Sequence, residues 1–140
     1  MAQGFSSTGV WAARGRGFSM GMAEPDGVVV HLTGQVAWDA DERIVGPGDA
    51  GLQTRQAFRN IELLLAEAGG GLADLVAVTT WFLRREDLPA IQAVRAELLG
   101  DADPPVSTSV MVAGLGHEDF LVELTPVAVI PHQRFLPPGG

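Results

Sequence analysis

The side chains able to do chemistry in this chain are limited by two absences. Among 140 residues there is no cysteine and no lysine, and the nine basic side chains other than histidine are all arginine. A thiolate nucleophile, a cysteine zinc site, a Schiff base and a phosphate-loop lysine are therefore excluded. Any catalyst built here must use carboxylates, hydroxyls, backbone amides, arginine, water or histidine.

The hydroxyl-rich segment Ser107-Thr108-Ser109 is the first candidate. A serine nucleophile needs a base, and His117 is the one histidine close to it in sequence. No G-x-S-x-G elbow is present, which disfavours a Ser/His hydrolase. Hydroxyl-rich strands also serve cross-strand hydrogen bonding. Ser107 is thus either a ligand contact or the remnant of a lost site.

The segment His117-Glu118-Asp119 is the second candidate. A metal needs three or four converging ligands, and this segment offers a single histidine. It therefore predicts a solvated loop and no metal site, although a proton-transfer role for His117 stays open. His31 falls in a predicted strand, where we expect it to be packed and hydrogen-bonded.

Charge and hydropathy limit the kinds of molecule that this protein is expected to bind. The formal charge is -8, and Arg84–Arg85 is the only adjacent pair of arginines. A phosphate-binding surface needs clustered basic residues, so nucleic acid is not expected. No apolar run approaches the ~20 residues of a membrane span, and the segment Met1–Gly17 does not resemble a signal peptide. A cytoplasmic location follows by default, and this length favours one domain.

The first of the elements that must position these residues is a predicted hairpin. Its arms are Phe18–Ala23 and Val28–Gln35, joined by the turn sequence Glu24-Pro25-Asp26-Gly27. Proline presets φ and glycine tolerates positive φ, which favours a turn at this point. The following Trp38–Gly48 segment is predicted to be a loop.

A long helix is predicted next, over about Ala50–Ala68, with Asp49 as its N-cap. Glycine at position 69 is expected to end it in a left-handed conformation. Four apolar residues recur at helical spacing and predict its buried face. They are Phe58, Ile61, Leu65 and Ala68.

A second helix is predicted over about Leu88–Leu99, with Asp87 as N-cap and Pro89 in the first turn. Its inner stripe consists of Leu88, Ile91, Arg95 and Leu98, and we expect Arg95 at the margin of that stripe.

Three further strands are predicted at Leu75–Leu83, Ser107–Val112 and Leu121–Ile130. Proline cannot donate to a strand ladder, so Pro126 predicts an edge position or a bulge. The order ββαβαββ favours an α+β fold, with one mixed sheet and both helices on one face. Nothing in the chain covers the other face, which indicates self-association.

Several short motifs in this order are similar to those of a known family. They are Thr33-Gly34-Gln35-Val36, Gln53–Ile61, Ala66-Glu67-Ala68-Gly69-Gly70, Asp74-Leu75-Val76, Thr79–Leu83 and Val122-Glu123-Leu124. The series resembles the reactive intermediate deaminase family (RidA/YjgF, often labelled L-PSP endoribonuclease-like). It divides the chain into an N-terminal extension (1–17), a RidA-like domain (18–130) and a C-terminal tail (131–140), which we expect to be weakly ordered.

The resemblance implies a chorismate-mutase-like fold assembled as a homotrimer. Three sheets would surround a central barrel, with ligand clefts between neighbouring subunits. It also implies hydrolysis of 2-enamine or 2-imine intermediates to keto acids and ammonia, without a metal or another cofactor.

The family's site residues map onto this chain one by one. By the resemblance, Glu123 is the glutamate that positions water, and the turn at Thr33-Gly34 contacts the ligand. Phe18 stands where tyrosine is usual, so the ring is kept and the hydroxyl is lost. Gln92 falls where some members place an amide side chain at the cleft. Trp38 either forms the roof of the cleft or packs against a neighbouring subunit.

Position 107 departs from the family pattern. Aligning the segment that begins at Pro104 on the family's P-A-R-S/T motif puts Ser107 where a carboxylate-binding arginine is expected. Losing a charged hydrogen-bond partner costs roughly a hundredfold or worse in binding or rate. The usual activity on 2-imino acids is therefore in doubt.

Three functional hypotheses follow from the sequence. The first is a RidA-like hydrolase acting on a small enamine, imine or related reactive metabolite. The second is a non-catalytic protein that binds a small metabolite. The third, an endoribonuclease, ranks lowest because of the acidic charge and the absent lysine.

Overall fold

The computed structural model describes residues 2–100 and 103–139, and the chain folds around a mixed four-stranded sheet. The strands are β1 (Gln3–Phe5), β2 (Gly21–Ala23), β3 (Val28–His31), β4 (Leu75–Phe82), β5 (Val106–Met111) and β6 (Val122–Ile130), and the helices are α1 (Ala50–Glu67) and α2 (Leu88–Leu99). The sheet order is β3-β6-β4-β5, with β4 and β5 parallel and the other pairs antiparallel. The predicted α+β class is confirmed.

The predicted N-terminal hairpin does not form. β2 pairs with β1, whereas β3 pairs with β6. Upstream of β2, the Ser19 N–H donates to the Pro105 carbonyl at 3.0 Å beside the start of β5. The chain therefore crosses from the β5 edge of the sheet to the β3 edge between Ser19 and Val28. A turn sequence fixes a local change of direction, but it does not select the strand with which each arm pairs.

Helix α1 begins and ends as the sequence predicts. The Asp49 carboxylate accepts a hydrogen bond from the Leu52 N–H at 3.0 Å. The predicted stripe of Phe58, Ile61, Leu65 and Ala68 is buried. Gly69 follows with φ +81°, and the backbone carbonyl of Arg134 packs directly against it.

Helix α2 has the predicted bounds and has Asp87 at the predicted N-cap position, but the Asp87 side chain does not cap the helix. The Asp87 carboxylate accepts hydrogen bonds from Arg84, at 2.8 Å from Nε and 3.1 Å from Nη2, and makes no capping bond. Asp87 also has helical backbone angles, because a 3₁₀ turn at Arg85–Asp87 leads directly into α2. A carboxylate used by a neighbouring arginine is not free to cap the helix.

Both helices cover one face of the sheet. Along β6 the buried residues alternate with half-buried ones on the opposite face. The side facing away from the helices, here called the helix-free face, carries Ala77, Thr79, Trp81, Glu123, Thr125 and Val127. Trp81 Nε1 donates to Thr125 Oγ1 at 3.0 Å across this face. The half-buried character of these residues agrees with the expectation that the face needs a cover.

Two details of the sheet concern His31 and Pro126. His31 pairs with Val127 and is exposed, and its side chain makes no hydrogen bond with a described residue, so the expectation of a packed, hydrogen-bonded side chain was wrong. The reason is that β3 is an edge strand and this register turns His31 onto the helix-free face. Next along the ladder, Gln35 pairs with Leu124, one residue out of step with β3. The register between these two strands therefore changes between Val127 and Leu124, a stretch that contains Pro126, although β6 is a central strand and Pro126 itself stays in register with Val78 of β4.

The C-terminal segment is docked rather than loose. The Leu136 N–H donates to the Ala68 carbonyl at 3.0 Å, and Arg134 pairs with Asp74 at 2.5 Å. Residues 134–136 are thus hydrogen-bonded to the end of α1 and to Asp74, whereas the sequence predicted a weakly ordered tail. No helix in the described part of the chain is long and apolar enough to cross a membrane.

Candidate functional site

Gly34 and Glu123 are brought together by the end of the β3–β6 ladder. Gln35 exchanges backbone hydrogen bonds with Leu124 at 2.8 and 2.9 Å in an antiparallel bridge, which sets Gly34 diagonally across from Glu123 on the same face. A β-carbon built on Gly34 would lie 2.1 Å from Glu123 Oε2. Only glycine therefore leaves room for the Glu123 carboxylate in this position. We call this pair the glutamate group.

Thr33 and Trp38 flank the glutamate group on the same loop. Thr33 is exposed, and its carbonyl accepts a hydrogen bond from Gln35 Nε2 at 2.9 Å. Trp38 stacks edge-to-face on Phe120, with centroids 5.0 Å apart, and its carbonyl accepts a bond from Asn60 at 2.8 Å. Trp38 thus has packing partners within its own chain.

His117 belongs to a solvated loop, as predicted. Its Nδ1 accepts a hydrogen bond from the Asp119 N–H at 3.0 Å, and its ring lies 5.4 Å from that of Phe120. Within residues 2–100 and 103–139, no group of three or more potential ligands converges on a metal site.

Ser107 lies on the helix side of the sheet, beside a buried arginine. It pairs with Val78 of β4, and its Oγ accepts a hydrogen bond from Arg95 Nη1 at 3.1 Å. Arg95 is only 2% exposed, and its Nε donates to the Arg16 carbonyl at 3.2 Å. Burial lowers the pKa of Arg95. The expectation that Arg95 lies at the margin of its stripe was therefore wrong.

Phe18 completes this second cluster. Its ring centroid is 5.2 Å from the guanidinium carbon of Arg95. We call Phe18, Arg95 and Ser107 the arginine group. Sequence reasoning proposed Phe18 and Ser107 but missed Arg95 as a site residue. The available signal was a charged residue placed four positions after Ile91, on the buried face of α2.

Residues 11–17, here called the cover segment, close over Arg95. The ring of Trp11 packs edge-on against Phe18 at 5.7 Å. Gly17 is buried with φ +82°, and a β-carbon there would lie 2.7 Å from the Ala96 α-carbon of α2. The segment can approach α2 this closely because position 17 has no side chain.

Gln92 lies one turn before Arg95 on α2 and is half-buried. Its side chain makes no hydrogen bond with another described residue. Because α2 connects the parallel strands β4 and β5, it runs antiparallel to them, and Gln92 lies farther along β5 than Arg95 does.

Ser107 and Glu123 lie on opposite faces of the sheet in a single chain. Ser107 is in register with Val78 on the helix side, whereas Glu123 is in register with Trp81 on the helix-free face. The predicted site residues therefore form two separate groups in one chain.

Most of the arginines near carboxylates are neutralised by them. The pairs are Arg55–Glu97, Arg59–Glu62, Arg84–Asp87 and Arg134–Asp74. The neighbouring carboxylates raise the pKa of Arg55, Arg84 and Arg134, and Arg55 holds the pKa of Glu97 below its usual value. Arginines engaged in this way do not form a surface for a phosphate backbone.

Comparison with known proteins agrees with this fold. The family model described as Endoribonuclease L-PSP matches residues 15–130. A crystal structure of a Rid-family protein of unknown function, YyfB from Yersinia pestis, superposes with a TM-score of 0.86 at 28% identity, covering 92% of this chain and 98% of that one. The YjgF protein of E. coli superposes with a TM-score of 0.67 at 24% identity, over 75% of this chain and 83% of that one.

Two curated relatives support the same family. The 3-aminoacrylate deaminase RutC of Acinetobacter baylyi is 38% identical over 101 residues, which is 71% of this chain and 78% of the relative. A RutC family protein of Synechocystis is 34% identical over 99 residues, 70% of this chain and 75% of the relative. The chain belongs to the RidA/YjgF family of L-PSP endoribonuclease-like proteins.

Proposed function

We propose that this protein is a deaminase that hydrolyses a small enamine or imine acid. The observation that carries the proposal is the Glu123 carboxylate packed against the backbone of Gly34, with 2.1 Å between Oε2 and the place of a β-carbon. Such a carboxylate lies directly beside the backbone of the turn and can orient a water molecule. The relative named 3-aminoacrylate deaminase supports a substrate of this class.

The reaction needs no group that the chain lacks. Protonation of the enamine carbon gives an iminium ion, and water then adds to the C–N carbon. In this proposal Glu123 accepts the proton of the attacking water and transfers it to the departing nitrogen. The proton on the enamine carbon comes from solvent, and the carbinolamine returns its hydroxyl proton to solvent as it collapses to a carbonyl compound and ammonia. One water is therefore consumed for each C–N bond broken.

The proposed assembly is a homotrimer with ligand sites between subunits. It would cover the helix-free face, on which Trp81 and Thr125 are half-buried. It also offers a way for the glutamate group of one subunit to face the arginine group of its neighbour. The two groups cannot contact each other within one chain, because they lie on opposite faces of the sheet.

Ammonia release tests the proposal. The full-length protein would be assayed with 3-aminoacrylate and with 2-imino acids generated by an amino-acid oxidase, alongside Glu123→Gln and the loop control Glu118→Gln. We expect Glu123→Gln to lower kcat by about a hundredfold or more and Glu118→Gln to be near wild type. Wild-type activity in Glu123→Gln, or no turnover of any enamine or imine, would overturn the proposal.

Position 107 decides between substrate types. Ser107→Arg introduces the charged group that the family pattern places there, but it sets that charge beside the buried Arg95, whose Nη1 lies 3.1 Å from Ser107 Oγ. Because the two like charges repel, we expect no gain of activity on 2-imino acids over the wild type. Robust wild-type activity on plain 2-imino acids would show that Ser107 is no impediment. Tight metabolite binding without turnover would favour the non-catalytic hypothesis.

A further inference from the structure

Arg95 is a buried positive charge without a carboxylate partner in the part of the chain that the structure describes. It is 2% exposed, and its two hydrogen-bond acceptors are the Arg16 carbonyl and the Ser107 hydroxyl, both of them neutral. Burying a charge without an opposite charge is costly. Such a group is stabilised when a negative charge arrives from outside the chain, and perturbed groups of this kind cluster at functional sites.

Ser107 is oriented to assist a ligand at this place. Its Oγ accepts a hydrogen bond from Arg95 Nη1 at 3.1 Å, which leaves its own O–H available to donate. A carboxylate offers two acceptor oxygens with several lone pairs and matches a guanidinium with a neighbouring hydroxyl. The Phe18 ring, 5.2 Å from the guanidinium carbon, supplies an apolar wall for the rest of a small molecule.

The cover segment must move for a ligand to reach Arg95. Arg14, Gly15 and Arg16 are exposed, and Arg14 and Gly15 have φ values of +53° and +75°. The Arg16 carbonyl accepts from Arg95 Nε at 3.2 Å, which is long for a bond from a charged donor. A carboxylate oxygen is a stronger acceptor than this peptide carbonyl and can take its place.

We propose that Arg95 and Ser107 bind the carboxylate of a small acid, with Phe18 packed over it and the cover segment displaced to admit it. The positive charge expected at position 107 then comes from helix α2 instead of strand β5. The identification of that acid as an enamine or imine substrate rests on the proposed function, but the carboxylate site itself does not.

Pyruvate is a suitable probe because it is a small carboxylate that the proposed chemistry does not consume. The ¹⁵N-labelled full-length protein would be titrated with pyruvate, and with its uncharged methyl ester, while the Arg95 Nε–H signal is followed by NMR. We expect pyruvate to shift this signal at saturation and the ester to leave it unchanged. A merely structural arginine would respond to neither compound.

Variants separate ligand binding from folding. We expect Arg95→Gln to weaken pyruvate binding about tenfold to a hundredfold and Ser107→Ala about threefold to tenfold. The matched control Arg85→Gln removes the same charge from an exposed position and should change the Kd less than twofold. If Arg95→Gln does not fold, Arg95→Lys and Ser107→Ala carry the same test.

The result that overturns the inference is pyruvate binding that is unchanged in folded Arg95 variants, equal for the ester, or absent. This outcome can be told apart from failure of the deaminase proposal. Carboxylate binding through Arg95 without enamine hydrolysis would refute the proposed function and leave the carboxylate site intact. Enamine hydrolysis with a KM that Arg95→Gln leaves unchanged would support the proposed function and refute the carboxylate site.

Discussion

At the scale of single residues, Gly34 and Glu123 depend on each other. The carboxylate occupies the space that any larger residue at position 34 would fill. The turn that contains Gly34 is fixed by the backbone bonds between Gln35 and Leu124. The position of the proposed water-orienting carboxylate is therefore set by the absence of one side chain.

Gly34→Ala is expected to displace the Glu123 carboxylate without unfolding the protein. The clash is with the end of a flexible side chain, so the free energy of unfolding should fall by no more than about 1 kcal/mol. Deaminase activity should fall at least tenfold, because a misplaced base loses its orientation. Activity assays and thermal denaturation check both points.

Gly114→Ala is the matched control for this prediction, since a β-carbon there meets nothing within 4 Å. It should leave activity and Tm near wild type. Full activity in Gly34→Ala would show that the position of Glu123 is not critical.

At the scale of elements, the N-terminal segment packs on α2 at Gly17, a position that has no room for a larger side chain. Gly17 combines a left-handed backbone with contact against the helix backbone. Gly15, two residues earlier, has φ +75° but no atom within 4 Å of a β-carbon built there. Alanine substitutions at the two glycines therefore separate the free-energy cost of a left-handed backbone from the free-energy cost of packing a side chain against α2.

Gly17→Ala should release the cover segment, whereas Gly15→Ala should only loosen it. A left-handed alanine costs about 1–2 kcal/mol at either position, and overpacking against α2 adds about 1–3 kcal/mol at position 17 alone. Hydrogen exchange of the Ser19 amide, bonded to the Pro105 carbonyl at 3.0 Å, reports release of the segment. Equal exchange rates in the two variants would contradict the close packing of Gly17 on α2.

At the scale of the whole molecule, the helix-free face is the surface that the monomer leaves half-covered. Thr79 lies near its middle, with Thr125 beside it on β6 and Thr108 beside it on β5. A trimer built through this face would bury the centre of the sheet on both sides.

Thr79→Arg is expected to dissociate the proposed trimer, because it places a charge in the centre of a buried interface. Leu63→Arg is the control, since Leu63 lies on α1 and is 51% exposed. Light scattering should give a trimer for the wild type and for Leu63→Arg, but a smaller species for Thr79→Arg. A wild-type monomer, or dissociation by both variants, would contradict the proposed interface.

Local physical chemistry was enough to predict much of this fold. The bounds of α1 and α2 follow from apolar spacing and from glycine and proline signals, which act between residues close in sequence. The α+β class also followed from the order of the predicted elements. The sequence alone determined that the chain lacks thiol and amine nucleophiles.

Only the tertiary structure decided which strands pair and which groups are buried. Turn residues at 24–27 predicted a hairpin, yet β3 pairs with β6 and not with β2, because long-range pairing depends on edges that only the folded sheet presents. The Asp87 cap was lost to Arg84, a competition between side chains that spacing does not reveal. Arg95 was predicted at a margin, and it is buried because the cover segment, 79 residues earlier in the chain, folds over it.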